Sequence, residues 1–246
     1  LVIPFLDPAP DLSGLPQPTL FYAALQAATP VSSFTPVNFN DPLYILYSSG
    51  TTGAPKCIVH GVGGVILKHI TEMRLHSDMG ADDRMLFFTT CGWMMWNWMV
   101  SGLMIGMPLV TYEGNPFHPG PQRLWDIAEA EQLTHLGVSA KYIDAIRNAR
   151  YRPADSNDLS HLRCLMSTGS PLSSDGFGFV YEAIRDDVQL CSMSGGTDIM
   201  GCFVLGCPVQ PVYAGEIQAR ALGLAVEILD DDGQPVTDEQ GELCCT

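Results

Sequence analysis

The sequence predicts an α/β fold: a layered, mostly parallel sheet of βαβ units, with a small antiparallel β element starting near the C-terminus. Three observations carry this. From residue 43 onward, short apolar β-type runs alternate with longer helical patterns, the rhythm that a parallel sheet with crossover helices requires. Polar, Gly-rich loops follow predicted strands at residues 48–56, 167–172 and 194–198, where open α/β sheets gather their ligands. Beyond about residue 205 the pattern shortens to strands around a turn at "DDDGQP".

Taken in order, residues 1–42 are rich in Pro, Ser and Thr, contain one short helical pattern at "LFYAALQAA", and read as a connector. The core occupies residues 43–204. There "LYILY" precedes the helical "GGVILKHITEMRLH", "RMLFF" precedes "WMMWNWMVSGLM", and "PLVTY" precedes "PQRLWDIAEAEQ". The series continues with "LTHLGV", "AKYIDAIRNA", "LRCLM", "GFGFVYEAI" and "VQLCSM". Residues 205–246 read as the start of a β-rich subdomain, with "AVEIL" and "PVT" as strands on either side of the turn.

Residues 85–112 carry no charge and are long enough to cross a bilayer. Gly92, Asn97, Gly102, Gly106 and Pro108 interrupt the run, its tryptophans sit near the centre, and no basic flank follows. Strand, buried helix, strand is the expected arrangement, with no membrane span. The N-terminus lacks the charged region and cleavage site of a signal peptide.

The net charge of −15, from 27 acidic against 12 basic residues, argues against a nucleic-acid or anionic-membrane surface. An anionic ligand must therefore be held by local backbone donors and hydroxyls. The eight cysteines form no Cys-x-x-Cys pair and read as reduced thiols of a cytoplasmic protein. Cys244 and Cys245 are adjacent and read the same way. The six histidines show no ligand spacing.

Among the loops, "YSSGTTGAPK" at residues 47–56 packs hydroxyls, two glycines and a lysine behind a strand. It fails the P-loop pattern, because Pro55 stands where that motif needs glycine. A loop of this chemistry can still wrap polyphosphate through backbone N–H groups and hydroxyls, with Lys56 as a point charge. "STGSPL" reads by itself as a turn capping the next helix, with Ser173 or Ser174 as N-cap. "SGGTD" reads as a Gly-Gly turn in which Gly195 takes positive φ. Trp96 and Met99 read as core at helical spacing.

The run Tyr, two hydroxyl residues, Gly, two hydroxyl residues, Gly, any residue, Pro, Lys resembles the phosphate-binding signature of the adenylate-forming superfamily. That superfamily contains acyl-CoA synthetases, luciferases and peptide-synthetase adenylation domains. The resemblance implies that Ser48, Ser49, Gly50, Thr51, Thr52, Gly53 and Lys56 hold the β- and γ-phosphates of ATP. "STGSPL" is similar to the segment lying along adenine, which implies that role for Gly169, Ser170 and Pro171. "SGGTD" is similar to the motif whose threonine sits beside the α-phosphate and whose acidic residue holds Mg²⁺, here Thr197 and Asp198. Asp198 stands in place of the usual Glu, and Ser194 in place of the aromatic that stacks on adenine. Thr197, Asp198 and Lys56 are the implied catalytic residues. Trp93, Met94, Met95, Thr168 and Gly195 are the implied acyl pocket, with Gly195 leaving room where acetate-specific relatives carry tryptophan.

Longer blocks, "FFTTCGWMMWNWMVSGL", "GVSAKYI" and "GEIQARALGLAVE" among them, resemble the branch of the family that activates acetoacetate. The resemblance implies acetoacetate, Mg·ATP and coenzyme A as substrates and cofactors, and an acid–thiol ligase releasing AMP and pyrophosphate. A neighbouring synthetase for butyrate-like or branched acids stays open, as does a non-catalytic nucleotide- or acyl-binding fragment. The family's ribose-gripping aspartate and its C-terminal catalytic-lysine domain find no match in residues 1–246. The chain is therefore expected to be the middle of a larger enzyme.

Overall fold

Alternation of apolar side chains between the two faces of each strand builds the core. The structure is a computed structural model that describes residues 11, 13, 14, 26–48 and 56–245, Ser48 by its backbone alone. The chain divides into two compact units, residues 1–37 and 38–246, and the second contains every β-strand of the described residues.

Four strands, β3 (Met85–Phe87), β4 (His135–Ser139), β5 (Cys164–Thr168) and β6 (Gln189–Ser192), form a wholly parallel sheet in the order β3-β4-β5-β6. On one face Leu86, Leu136, Val138, Leu165 and Leu190 pack with three helices, α3 (Arg123–Ala130), α4 (Ala140–Asn148) and α5 (Ser174–Ala183). On the other, Met85, Phe87, Cys164, Met166 and Cys191 meet a sulfur-rich layer of Met73, Met79, Met95, Met99 and Cys202 around Trp98. Continuous apolar strands covered on both faces are the mark of a parallel sheet. Flexible methionines fill the irregular space between unlike elements.

That second layer comes from α1 (Val62–Thr71), continued by a π-helical turn over Glu72–His76, and from α2 (Met94–Val100). The inward stripe of α1 and its extension has helical spacing, at Val65, His69, Glu72, Met73 and His76, yet three of these five buried residues are polar. A three-stranded antiparallel sheet, β7 (Ser194–Gly196), β8 (Gly201–Leu205) and β9 (Ala219–Arg220), supplies Cys202 as a partner of Glu72, while His69 meets Ser101 and Met200, and His76 meets Gly206 and Leu222.

The alternation expected from residue 43 needs correction at its start. "LYILY" lies in β1 (Pro42–Ser48), which pairs antiparallel with β2 (Lys56–Gly61) and forms a separate hairpin. "PLVTY" contributes only an isolated bridge, Leu109 to Met85. Near the C-terminus β10 (Val226–Leu229) pairs with β11 (Glu242–Cys245), while "PVT" supplies a single bridge from Pro235 to Leu229. The charge-free segment 85–112 is strand, helix and loop, and no described helix is long and apolar enough to cross a membrane. All eight cysteines are free, with Cys164, Cys191 and Cys202 buried.

Candidate functional site

At the carboxyl ends of β5 and β6, three segments far apart in sequence enclose a cavity of about 620 Å³. The start of α2 supplies Trp93, Met94 and Met95. The end of β5 and the loop after it supply Thr168, Gly169, Ser170 and Pro171. Strand β7 and its turn supply Ser194, Gly195 and Thr197.

Local chemistry fixes each wall. Trp93 is the extended N-cap of α2, and its indole meets Phe87 of β3 edge-on at 6.2 Å. Gly169 has φ +85°, and a Cβ placed on it would sit 3.7 Å from Cη2 of Trp93. The left-handed glycine thus lets the loop turn directly beside the indole. Thr168 Oγ1 donates to the Met193 carbonyl at 3.0 Å and the Met193 N–H donates to the Ser167 carbonyl at 2.9 Å, so the β5 and β6 loops leave the sheet tied together. Ser173 is the N-cap of α5, its hydroxyl accepting from the Gly176 N–H at 3.2 Å. The capping role read from "STGSPL" and its place on the cavity wall therefore hold together.

Gly195 lies on the wall, for a reason other than the one expected. Its φ is not in the left-handed region. Instead β8 passes so close that a Cβ at 195 would lie 2.1 Å from the Gly201 carbonyl oxygen and 2.7 Å from Cys202 Cα. A side chain here would start into the backbone of β8, and could reach the cavity only if β7 and β8 separated.

Asp198 follows Thr197 in the turn and is exposed, and a Cβ on Gly196 would sit 3.7 Å from its Oδ2. Among the described residues no group of three or more His, Cys, Asp or Glu side chains gathers as a metal cage. A lone carboxylate beside a polyphosphate site is the donor set Mg²⁺ accepts, since it keeps waters and takes phosphate oxygens as ligands. Ser48 and Lys56 are backbone register partners at the connected end of the β1–β2 hairpin, and Lys56 is exposed. Lys56 does not line the cavity, and Ser49, Gly50, Thr51, Thr52 and Gly53 lie outside the described residues.

Further lining residues escaped the sequence reading, among them Phe177, Ser192, Cys202, Ile217, Ile228 and Leu243. Ser192 ends a strand and was findable by that rule. Ile228 and Leu243 come from the β10–β11 hairpin, whose approach no local pattern signals. Burial, and then the nearby Glu72 carboxylate, push the Cys202 thiol up, so it faces the cavity as an uncharged group. A second cavity, of about 730 Å³, lies between Phe88, Thr90, Tyr112 and Ser139, and Trp93 lines both.

A family model described as AMP-binding enzyme matches residues 8–246. The acetoacetyl-coenzyme A synthetase of Rhizobium meliloti (strain 1021) is 54% identical over 238 residues, covering 97% of this chain and 36% of that protein. The acetoacetyl-CoA synthetase of Gallus gallus is 43% identical over 252 residues, covering all of this chain and 38% of that one. The solved acetoacetyl-CoA synthetase from Streptomyces lividans superposes with a TM-score of 0.91 at 42% identity, over 99% of this chain and 38% of its own. The chain thus spans a little over a third of the length of these relatives.

Proposed function

The chain belongs to the AMP-binding enzyme family, and from that premise we propose that it carries the ATP and acyl site of an acetoacetate–CoA ligase. One observation supports this above others: the adenine, α-phosphate and acyl segments, separated by up to about a hundred residues, meet in one cavity of about 620 Å³.

In the first half-reaction an acetoacetate carboxylate oxygen attacks the α-phosphorus of ATP. A P–O bond forms, and the bond to pyrophosphate breaks with its electron pair leaving on pyrophosphate. In the second, the sulfur of coenzyme A attacks the acyl carbon, AMP leaves, and the thiol proton passes to solvent. The protein's share of the first step is positioning and charge neutralisation. Gly169, Ser170 and Pro171 lie along adenine, with Ser194 where a stacking aromatic is absent. Thr197 donates to the α-phosphate. The loop from Ser48 to Gly53, with Lys56, holds the β- and γ-phosphates. Magnesium, when bound, neutralises the leaving pyrophosphate, and Asp198 is the residue assigned to hold it.

Trp93, Met94, Met95, Thr168 and Gly195 bound the acyl group. Because a Cβ at 195 would run into β8, glycine here lets β7 and β8 close together behind the acyl group. The second cavity suits the incoming thiol, since it meets the first at Trp93. The free cysteines suit a reducing compartment, and we assign the enzyme to the cytoplasm.

ATP–pyrophosphate exchange with acetate, acetoacetate and butyrate tests this, run on the present chain and on a version extended to the relatives' length. Exchange preferring acetoacetate supports the reading. Preference for butyrate moves it to a neighbouring synthetase, and silence from both proteins with every acid overturns it.

A further inference from the structure

Glu72 is fully buried 26 residues before Trp98 and 130 before Cys202, yet it meets both. Its Oε2 accepts from Trp98 Nε1 at 2.8 Å. Its Oε1 accepts from the Cys202 backbone N–H at 2.7 Å and from Lys68 Nζ at 2.9 Å. Lys68 Nζ also donates to the Cys202 carbonyl at 2.7 Å. The ion pair thus meets both polar groups of one backbone residue.

The two elements joined in this way both supply walls of the acyl side of the cavity. Trp98 lies one turn along α2 from Trp93, Met94 and Met95, and Phe87 stands edge-on to both Trp93 and Trp98 at 6.2 Å. Cys202 pairs with Gly195 across β7–β8 and itself lines the cavity. All three partners of Glu72 are donors. Only an ionised carboxylate, which has acceptor sites and no donor, can accept from all of them. A glutamine would turn an NH₂ group against one of them.

We propose that Glu72, seated by Lys68, is a positioning residue that sets the separation of the α2 wall from the β7–β8 wall, and so the length of acid the cavity accepts. Charge-assisted hydrogen bonds to a buried carboxylate resist displacement more than apolar contact does, and the surrounding methionines alone would adjust to either spacing. The proposal rests on the reading of this cavity as an acyl site.

The test compares Trp98→Phe, which removes one donor and keeps an aromatic ring, with Glu72→Gln and Glu72→Asp in the protein extended to the relatives' length. Two quantities are read: kcat/KM for acetoacetate relative to hexanoate in ATP–pyrophosphate exchange, and hydrogen exchange at the Cys202 amide. In Trp98→Phe and Glu72→Gln we expect the ratio to fall roughly fivefold or more, through KM for the acid, while KM for ATP moves less than about twofold. Glu72→Asp is expected to fall between them and the parent. The Cys202 amide should exchange at least about tenfold faster in Glu72→Gln.

An unchanged acid ratio in folded Trp98→Phe and Glu72→Asp, even with a faster Cys202 amide, would reduce Glu72 to a structural residue and overturn the proposal. So would an unchanged Cys202 amide in every variant. A parent protein silent with all acids defeats the functional reading and the specificity role with it. That case is recognised because the Cys202 amide of the parent is still protected and still released by Glu72→Gln.

Discussion

The indole nitrogen of Trp98 and the Glu72 carboxylate, both buried, are 2.8 Å apart, and because the other carboxylate oxygen accepts from the Cys202 N–H, Glu72 links α2 to the strand behind Gly195. A buried ion pair of this kind contributes little net stability over apolar residues of the same volume. Removing one partner, in contrast, leaves an uncompensated charge. Lys68→Met should therefore lower stability by about 3–5 kcal/mol, read as a shift of the urea midpoint at pH 7. A change under about 1 kcal/mol would mean that the donors from Cys202 and Trp98 satisfy the carboxylate by themselves.

Gly195 carries a second prediction. If its role were only to leave the cavity open, Gly195→Ala would fold normally and mildly disfavour larger acids. With the Gly201 carbonyl 2.1 Å from the new Cβ, backbone must move instead, and overpacking of this kind costs about 1–3 kcal/mol. Gly195→Ala is expected to lose stability of that order and to weaken exchange with every acid alike. Normal stability together with a selective loss of acetoacetate would show that β8 yields readily.

Much of the architecture was legible in the sequence. The parallel sheet followed from the alternation of short apolar runs and helical patterns, and the cavity wall from loops at strand ends, because both depend on local periodicity and on where strands stop. What was hidden depends on partners distant in the chain. "LYILY" has the composition of a core strand, yet its mate is the following "KCIVHG", with which it forms a hairpin outside the parallel sheet. No local pattern marks His69, Glu72 and His76, polar residues within a helical stretch, for burial. They are buried because β8, β9 and the chain around them bring backbone groups to meet them. Gly195 looked like a turn glycine because no sequence pattern announces how closely another strand passes.

His69 makes stability depend on pH. Its Nε2 donates to the Met200 carbonyl at 2.8 Å, which leaves Nδ1 to accept from the Ser101 hydroxyl at 2.7 Å. Burial pushes its pKa down from 6.5 to about 4. Between those values the unfolded chain binds a proton that the folded protein refuses, so stability falls as pH drops through this window and levels off below it. The loss is at most about 3 kcal/mol. Burial lowers the His135 pKa as well, so denaturation midpoints at pH 7 and pH 5 should differ in the parent. The difference should narrow, without vanishing, in His69→Gln. An equal difference in both proteins would assign the whole effect to other groups.

Trp93 gives the prediction that separates the two cavities. Its indole is wall to both, held edge-on by Phe87 and flanked by Gly169. Removing it in Trp93→Ala joins spaces of about 620 and 730 Å³ into one. Two losses should follow. The acid loses a large apolar contact, so KM for acetoacetate should rise about tenfold or more. Water also gains a path to the acyl-adenylate, because the barrier that kept solvent out of the reacting centre is gone. Pyrophosphate release should then outrun thioester formation in the extended protein, with free acetoacetate and AMP as the difference, and the two are measured side by side in one reaction. Trp93→Phe, which keeps a ring between the cavities, should restore coupling more fully than it restores KM. If Trp93→Ala raises KM while pyrophosphate and thioester still form in equal amounts, the indole shapes the acyl pocket alone, and the thiol reaches the adenylate by a route that does not pass this residue.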